Sequence, residues 1–143
     1  MRAPASWDET WIGVAKTISR RSKDPNTQVG AVLVSADNRR HSVGYNGFPI
    51  GIKDTSKRWQ RPTKYKYILH AEVNAILNSK TDLAGWTLYV SIPPCGNCAL
   101  MIIQAGIKRV VYAGPPSAQS ELEYDFAVAL LKEAKVKLER FNE

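Results

Sequence analysis

The chain contains two cysteines, Cys95 and Cys98, which stand three residues apart in the segment PPCGNC. Side chains three apart on a helix lie on the same side, so both sulfurs can reach one metal ion. A helix N-terminus also lowers the pKa of a thiol and favours the thiolate, which is a zinc ligand. A catalytic zinc site normally has three protein ligands and a water. The two cysteines therefore require a third ligand.

Histidine is the best candidate for that ligand, and the chain has only His41 and His70. His70 opens the segment HAEVNAI, two residues before Glu72. Side chains two apart on a regular helix point to nearly opposite sides. If His70 instead occupies the helix cap, its non-helical backbone lets both side chains converge. The sequence therefore predicts a Cys2His zinc site with a carboxylate beside it, built at two helix N-termini.

Three other interpretations fit parts of this pattern. A CxxC between a strand and a helix is also the thioredoxin-type redox arrangement. A structural zinc site would need a fourth ligand, for which His41 is the remaining candidate. Glu72 alone would also suit a helix N-terminus, where the helix dipole favours a negative charge. The spacing of these residues does not by itself exclude any of the three.

The segments before His70 predict a helix, a hairpin and a long loop. Ser6 and Glu9 form a capping box, and apolar residues at helical spacing predict a helix over residues 7–21. The β-branched runs at 28–36 and 41–47 predict two paired strands. Residues 47–66 are rich in Gly, Pro and charge and predict a long loop, which is often a functional segment.

From His70 onward, helices alternate with strands. Helices are expected from near His70, over 98–105 and over 120–134, and strands over 86–92, 109–114 and 136–141. This alternation after an opening hairpin predicts a three-layer α/β/α sandwich with a five-stranded mixed sheet. The 143 residues fit a single domain, residues 1–143.

Composition narrows the class of protein and partner. Apolar runs are too short to cross a bilayer and the N-terminus lacks the apolar core of a secretory signal, so we expect a cytoplasmic protein with reduced thiols and no membrane partner. The formal net charge of +7 favours partners that carry phosphate. Charge alone does not separate a small nucleotide from a nucleic acid.

Together, HAE at 70–72 and PCGNC at 94–98 are the signature of zinc-dependent nucleobase deaminases. The resemblance extends to deoxycytidylate deaminases through DPNTQVGAV (24–32), GYNGFPIG (44–51) and PPCGNCALMIIQAGI (93–107), and covers about residues 7 to 140. It implies the cytidine deaminase fold and hydrolysis of dCMP to dUMP and ammonia. In that reaction Glu72 would move protons from water to the ring and to the departing amine.

Residue by residue, the resemblance makes His70, Cys95 and Cys98 the ligands of one Zn²⁺ per subunit and Glu72 the proton shuttle. The backbone N–H of Ala71, free at a helix start, is expected to bind the base carbonyl. The other substrate contacts expected are Asn46 on the sugar and base, Val29 as a pocket wall, and Arg21, Ser22, Lys23 and Asn26 on the 5′-phosphate. The segment AGPPSAQS (113–120) lacks the tyrosine and basic residue that several relatives place near the phosphate.

The resemblance also implies regulation and assembly. Many members are activated by dCTP with Mg²⁺ and inhibited by dTTP at a second site between subunits, and form homo-oligomers, often hexamers. The residues expected at that site are Tyr45, Gly47, Phe48, Lys64 and Lys66. Some relatives bind a second, structural zinc through Cys and His before HAE, but residues 47–69 contain neither.

Two other functions would use the same motifs. A tRNA adenosine deaminase or a polynucleotide cytidine deaminase would share the zinc chemistry and benefit from a basic surface. GYNGFPIG and the long loop favour a mononucleotide substrate, so nucleic acid is not the expected partner. A non-catalytic zinc or nucleotide-binding module would keep the zinc site with Glu72 as a simple helix cap.

Overall fold

The computed structural model describes residues 1–115 and 121–142. The elements in chain order are α1 (Trp7–Ser19), β1 (Gly30–Val34), β2 (His41–Tyr45), a 3₁₀ helix (Thr63–Lys66), α2 (Ala71–Ser79), β3 (Thr87–Val90), α3 (Gly96–Gln104), β4 (Arg109–Tyr112), α4 (Glu121–Glu133) and β5 (Lys137–Arg140). The strands lie in the order β2-β1-β3-β4-β5. β1 runs antiparallel to β2 and β3, whereas β3, β4 and β5 are parallel. The five-stranded mixed sheet expected from the sequence is confirmed.

Helices cover both faces of the sheet. On one face, Trp11 and Ile12 of α1 pack against Val32 of β1. On the other face, α2, α3 and α4 pack against residues that include Leu33 of β1. Adjacent residues of a strand point to opposite faces, so β1 supplies both cores and is buried along its whole length. The three-layer α/β/α sandwich is therefore also confirmed.

Two helix boundaries differ by two residues from the expected ones. α1 begins as expected, with Ser6 Oγ accepting from the N–H of Glu9 at 3.0 Å, but ends at Ser19 because tighter turn hydrogen bonds follow it. α3 begins at Gly96, two residues before the expected start, since Cys95 is its N-cap. The expected start of α4 at residue 120 lies outside the described residues. No helix within the described ranges is long and apolar enough to cross a membrane.

The expected long loop is ordered and folds back on itself. Gly47 and Leu69 form a two-hydrogen-bond bridge, with N···O distances of 3.1 and 2.8 Å, that closes its base. Inside the loop, the ring of Phe48 stacks on that of Trp59 at 4.1 Å. Trp59 is buried although it lies in a segment without periodicity. The loop therefore delivers the chain to the start of α2 in one defined path.

Candidate active site

His70, Cys95 and Cys98 come together where α2 and α3 begin. His70 and Cys95 are the N-caps of these helices, with extended backbone angles (φ −74°, ψ 156° and φ −81°, ψ 174°). His70 Nδ1 lies 3.2 Å from Cys98 Sγ and 3.4 Å from Cys95 Sγ. The three ligand atoms all lie within 4.8 Å of one another. The cap position of His70 provides the non-helical geometry that the expected zinc site needs.

The chemistry of these donors fits zinc. A hydrogen bond from the Cys98 thiol lowers the pKa of Cys95 to about 4, whereas the same bond and burial raise the pKa of Cys98. A divalent ion would balance a second thiolate, and two sulfurs with one imidazole nitrogen leave a fourth tetrahedral position for water. The described residues thus form a Cys2His zinc donor set.

Glu72 lies beside this donor set. It is in the first turn of α2 and only 3% exposed. Burial raises the pKa of its carboxyl, while a hydrogen bond from Cys98 and the charge of His70 act in the opposite direction. A carboxyl whose pKa is moved toward neutrality can both accept and donate a proton. A metal donor set and a buried carboxyl therefore share one site.

The site opens into a cleft of about 750 Å³, a size typical of small-molecule sites. His70, Glu72 and both cysteines contribute to its lining. Three more of the expected substrate residues line it as well: Val29, Asn46 and Ala71. Asn97, between the two cysteines, also lines the cleft and was not singled out from the sequence, where nothing distinguishes it from an ordinary residue of a helix start.

Asn46 organises one wall of the cleft. It is 4% exposed, and its Oδ1 accepts from the N–H of Val29 at 2.8 Å. Its Nδ2 donates to the carbonyl of Thr27 at 2.9 Å and to Asp24 Oδ2 at 3.3 Å. Both N–H groups are therefore used within the protein. The side chain can still offer a ligand the second lone pair of Oδ1.

A buried ion pair fixes the same wall. Lys64 Nζ lies 3.0 and 2.9 Å from the two carboxylate oxygens of Asp24, and the side chains are 4% and 2% exposed. The third N–H of Lys64 reaches Asn26 Oδ1 at 3.3 Å. The pair joins the long loop to residues 22–29. Lys64, expected to contact an effector, thus uses all its donors inside the protein.

The residues expected to hold the 5′-phosphate do not line the cleft. Ser22 is buried, with Oγ donating to the carbonyl of Asn46 and accepting from the N–H of Asp24. Lys23 pairs with Asp54 at 2.8 Å. Arg21 and Asn26 are exposed outside the lining. Residues 116–120 of AGPPSAQS lie outside the described part of the chain.

Arg61 lines the cleft instead. It belongs to the basic segment 57–66, whose composition does not reveal which cation turns inward. Its contact with the cleft depends on the path of the folded loop, which has no sequence periodicity.

The other residues expected at a regulatory site lie around the base of the long loop. Tyr45 and Lys66 are exposed, Gly47 bridges to Leu69, and Phe48 stacks on Trp59. Of the expected regulatory set, only Lys64 lines the cleft. His41, which has no role in the expected zinc site, is exposed beside the ring of Trp11 at 5.8 Å.

Comparisons with known proteins agree with this geometry. A model of the "Cytidine and deoxycytidylate deaminase zinc-binding region" matches residues 5–114. The deoxycytidylate deaminase of Pongo abelii is 47% identical over 113 residues, which are 74% of this chain and 64% of that protein. The deoxycytidylate deaminase of Mus musculus is 42% identical over 143 residues, 95% of this chain and 80% of that protein.

A solved structure shows the same fold. The dCMP deaminase of the cyanophage S-TIM5, in complex with dCMP and dUMP, has a TM-score of 0.78 and 26% identity, and the match covers 98% of this chain and 100% of that one. By contrast, the chain spans slightly less than two thirds of the Pongo abelii relative. The sequence match, the fold and the His/Cys/Cys donor set agree: the chain belongs to the cytidine and deoxycytidylate deaminase family.

Proposed function

We propose that this protein is a zinc-dependent deaminase that converts dCMP and water to dUMP and ammonia. The observation that carries the proposal is the buried carboxyl of Glu72 beside Cys98, in a cleft that His70 and Cys95 also line. A non-catalytic zinc module would not need a buried proton carrier next to its metal donors. The family members named deoxycytidylate deaminase support dCMP as the substrate.

The residues of the chain have separate parts in the proposed reaction. His70, Cys95 and Cys98 would hold a zinc ion, which would supply Lewis-acid activation of a water molecule. Glu72 takes a proton from the water while the oxygen of the water attacks the ring carbon that bears the amine. Glu72 then passes this proton to the adjacent ring nitrogen. It later carries the remaining proton of the added hydroxyl to the amine, so that the ring carbonyl forms, the C–N bond breaks and ammonia leaves.

Substrate contacts in this proposal come from three sides of the cleft. The first N–H groups of a helix lack intrahelical acceptors, so the N–H of Ala71 at the start of α2 is available for the base carbonyl. The free lone pair of Asn46 Oδ1 accepts a hydrogen bond from a hydroxyl or amine of the nucleotide. Val29 packs on the apolar part of the nucleotide. Reduced thiols are needed throughout, as in the cytoplasm.

We extend the proposal to regulation and assembly. dCTP with Mg²⁺ activates and dTTP inhibits at a second site that includes Tyr45, Gly47, Phe48 and Lys66, with Lys64 linking it to the cleft through Asp24. The bridge from Gly47 to Leu69 supports this role, because Leu69 directly precedes the zinc ligand His70. We also propose a homo-oligomer, as a hexamer, whose interfaces would cover exposed apolar side chains such as Leu77 on α2 and Leu100 on α3.

The test is ammonia release from zinc-loaded protein given dCMP, CMP, deoxycytidine, dCTP or a cytidine-containing oligonucleotide, with and without dTTP or dCTP and Mg²⁺. We expect turnover of dCMP that dTTP reduces. Glu72→Gln should lower kcat about 10²- to 10⁴-fold. It should keep one zinc per chain. Turnover of the oligonucleotide alone, or an active Glu72→Gln protein, would contradict the proposal.

A further inference from the structure

The cleft contains one permanent positive charge without a carboxylate partner among the described residues, and it belongs to Arg61. Lys64 is the other basic side chain with a fixed charge in the lining, and Asp24 neutralises it. The charges of two thiolates would cancel those of a zinc ion. Arg61 is therefore the fixed positive charge of the described lining that no carboxylate neutralises.

The hydrogen bonds of the two basic side chains also favour Arg61 over Lys64 as the phosphate ligand. Each of the three N–H groups of Lys64 has an acceptor in Asp24 or Asn26. Asp24 in turn also accepts from the backbone N–H groups of Asn26 and Thr27. To bind a phosphate, Lys64 would have to leave a nearly fully buried carboxylate without its charge partner, which is costly. Within residues 1–115 and 121–142, no hydrogen bond or ion pair occupies the guanidinium of Arg61, so its donors can bind a ligand.

The backbone around Arg61 is anchored on both sides. Two residues before it, Trp59 is buried, stacks on Phe48 and donates its indole N–H to Asp54. Three residues after it, Lys64 is held by Asp24. An exposed side chain on a fixed backbone can reach a ligand at the mouth of the cleft, and binding then has to order the side chain but not the loop. A planar guanidinium also matches two oxygens of a phosphate at once.

We infer that Arg61 is a specificity-determining residue that binds the 5′-phosphate of the substrate and makes the enzyme prefer a nucleotide to a nucleoside. This inference rests on the proposed function, since it assigns the phosphate contact of the same cleft. It places that contact on the long loop and not on residues 21–26.

The test compares the dissociation constants of dCMP and deoxycytidine. Both are measured on zinc-loaded Glu72→Gln protein, in which turnover is slow enough for binding to be measured, and kcat and KM are then measured with Glu72 present. We expect Arg61→Gln to weaken dCMP binding about 10- to 100-fold, as for loss of a charge-assisted contact, and to leave deoxycytidine binding unchanged. Arg61→Lys should retain part of the preference for dCMP over deoxycytidine that Arg61→Gln loses. In the kinetic measurements, the weaker binding of dCMP should appear mainly as a higher KM, because the phosphate is bound in both the ground state and the transition state.

Two variants make the outcome specific. Lys57→Gln removes an exposed charge from the same loop outside the cleft lining and should change neither dissociation constant. Arg21→Gln tests the competing phosphate contact. The inference is wrong if the protein with Arg61 intact binds dCMP and deoxycytidine equally. It is also wrong if Arg61→Gln weakens the binding of both ligands alike, or if Arg21→Gln weakens dCMP binding and Arg61→Gln does not. A protein that binds dCMP through Arg61 but deaminates nothing would overturn the proposed function and leave the inference standing.

Discussion

At the scale of single residues, the site depends on groups that the protein has already paired before any ligand arrives. Asn46 donates hydrogen bonds from both N–H groups, one to Thr27 and one to Asp24. Asp24 in turn is held by Lys64. A wall built this way has little freedom to adapt to a ligand. The Asp24–Lys64 pair therefore positions Asn46, although neither charged group needs to touch the reacting atoms.

Breaking this pair from one side should be costly. Lys64→Met leaves the carboxylate of Asp24 buried without its charge partner, and we expect a loss of about 3–5 kcal/mol in the free energy of unfolding. The double variant Asp24→Asn/Lys64→Gln removes both charges and keeps hydrogen-bonding groups, so it should recover most of that loss. Urea unfolding of the wild type and the two variants measures both values.

A cost below about 1 kcal/mol for Lys64→Met would mean that water reaches Asp24 in solution, since exposed pairs contribute that little. Activity gives a second readout. If the pair positions Asn46, the double variant should fold well and still show a raised KM. A double variant with wild-type KM would show that Asn46 needs no such support.

At the scale of elements, the position of α2 relative to β2 sets the position of the site. Gly44 of β2 lies directly under the first turns of α2. A Cβ there would stand 2.5 Å from the carbonyl oxygen of Ala71 and would also overlap the backbone nitrogen of Ala75. Only glycine permits this close approach. The helix that carries His70 at its cap and Glu72 in its first turn therefore rests on a residue of the sheet that has no side chain.

Two glycine substitutions should have opposite effects. Gly44→Ala forces α2 away from the sheet and should cost about 1–3 kcal/mol or more. It should also weaken zinc binding, because His70 moves with α2. Gly13→Ala lies in the exposed interior of α1 with nothing within 4 Å of the added Cβ, and should stabilise by about 0.5–1 kcal/mol. Thermal unfolding and zinc stoichiometry would measure both effects; a neutral Gly44→Ala would contradict the packing argument.

Elements and zinc donors were predictable from the sequence because their causes are local. Ser6 caps a helix three residues away, strands show β-branched runs, and the HAE and PCGNC motifs place ligands at helix starts. Contacts made by distant segments were not predictable. Lys64 meets Asp24 across 40 positions. Arg61 reaches the cleft through a loop without periodicity, so nothing near it in sequence marks its role.

At the scale of the whole molecule, the two faces of the sheet carry different groups of polar side chains. The face covered by α2, α3 and α4 carries the site, while the face covered by α1 carries an ion network around Arg109. Arg109 joins Asp8 of α1 at 2.7 Å and Glu139 of β5 at 3.0 Å. Tyr89 of β3 donates to the same Asp8 carboxylate at 2.7 Å. One guanidinium thus joins the first helix to three strands on the face away from the His70, Cys95 and Cys98 donor set.

This network should make stability depend on pH in a defined direction. Hydrogen bonding to Arg109 lowers the pKa of Asp8 and of Glu139 below their ordinary values of 3.8 and 4.5. A group whose pKa is lowered by folding stabilises the folded state above its ordinary pKa, and that contribution is lost as the pH falls through the lower folded value. The network therefore stabilises fully at pH 7 and progressively less below about pH 4.

We expect Arg109→Met to lose about 1–3 kcal/mol in the free energy of unfolding at pH 7, as for hydrogen bonds between charged groups. Lys137→Met is the matched control, because Lys137 pairs with the same Glu139 at 3.1 Å but is 73% exposed, and such pairs contribute little. Urea unfolding from pH 7 down to acid pH should show the stability gap between the wild type and Arg109→Met narrowing as the pH falls through the lowered pKa values of Asp8 and Glu139, because protonation removes the charges that pair with Arg109. Groups common to both proteins, such as Glu72, cancel in that difference. Since Arg109 lies on the face opposite the site, the variant should bind zinc normally at pH 7; a constant stability gap across pH, or lost zinc, would contradict this division of the fold.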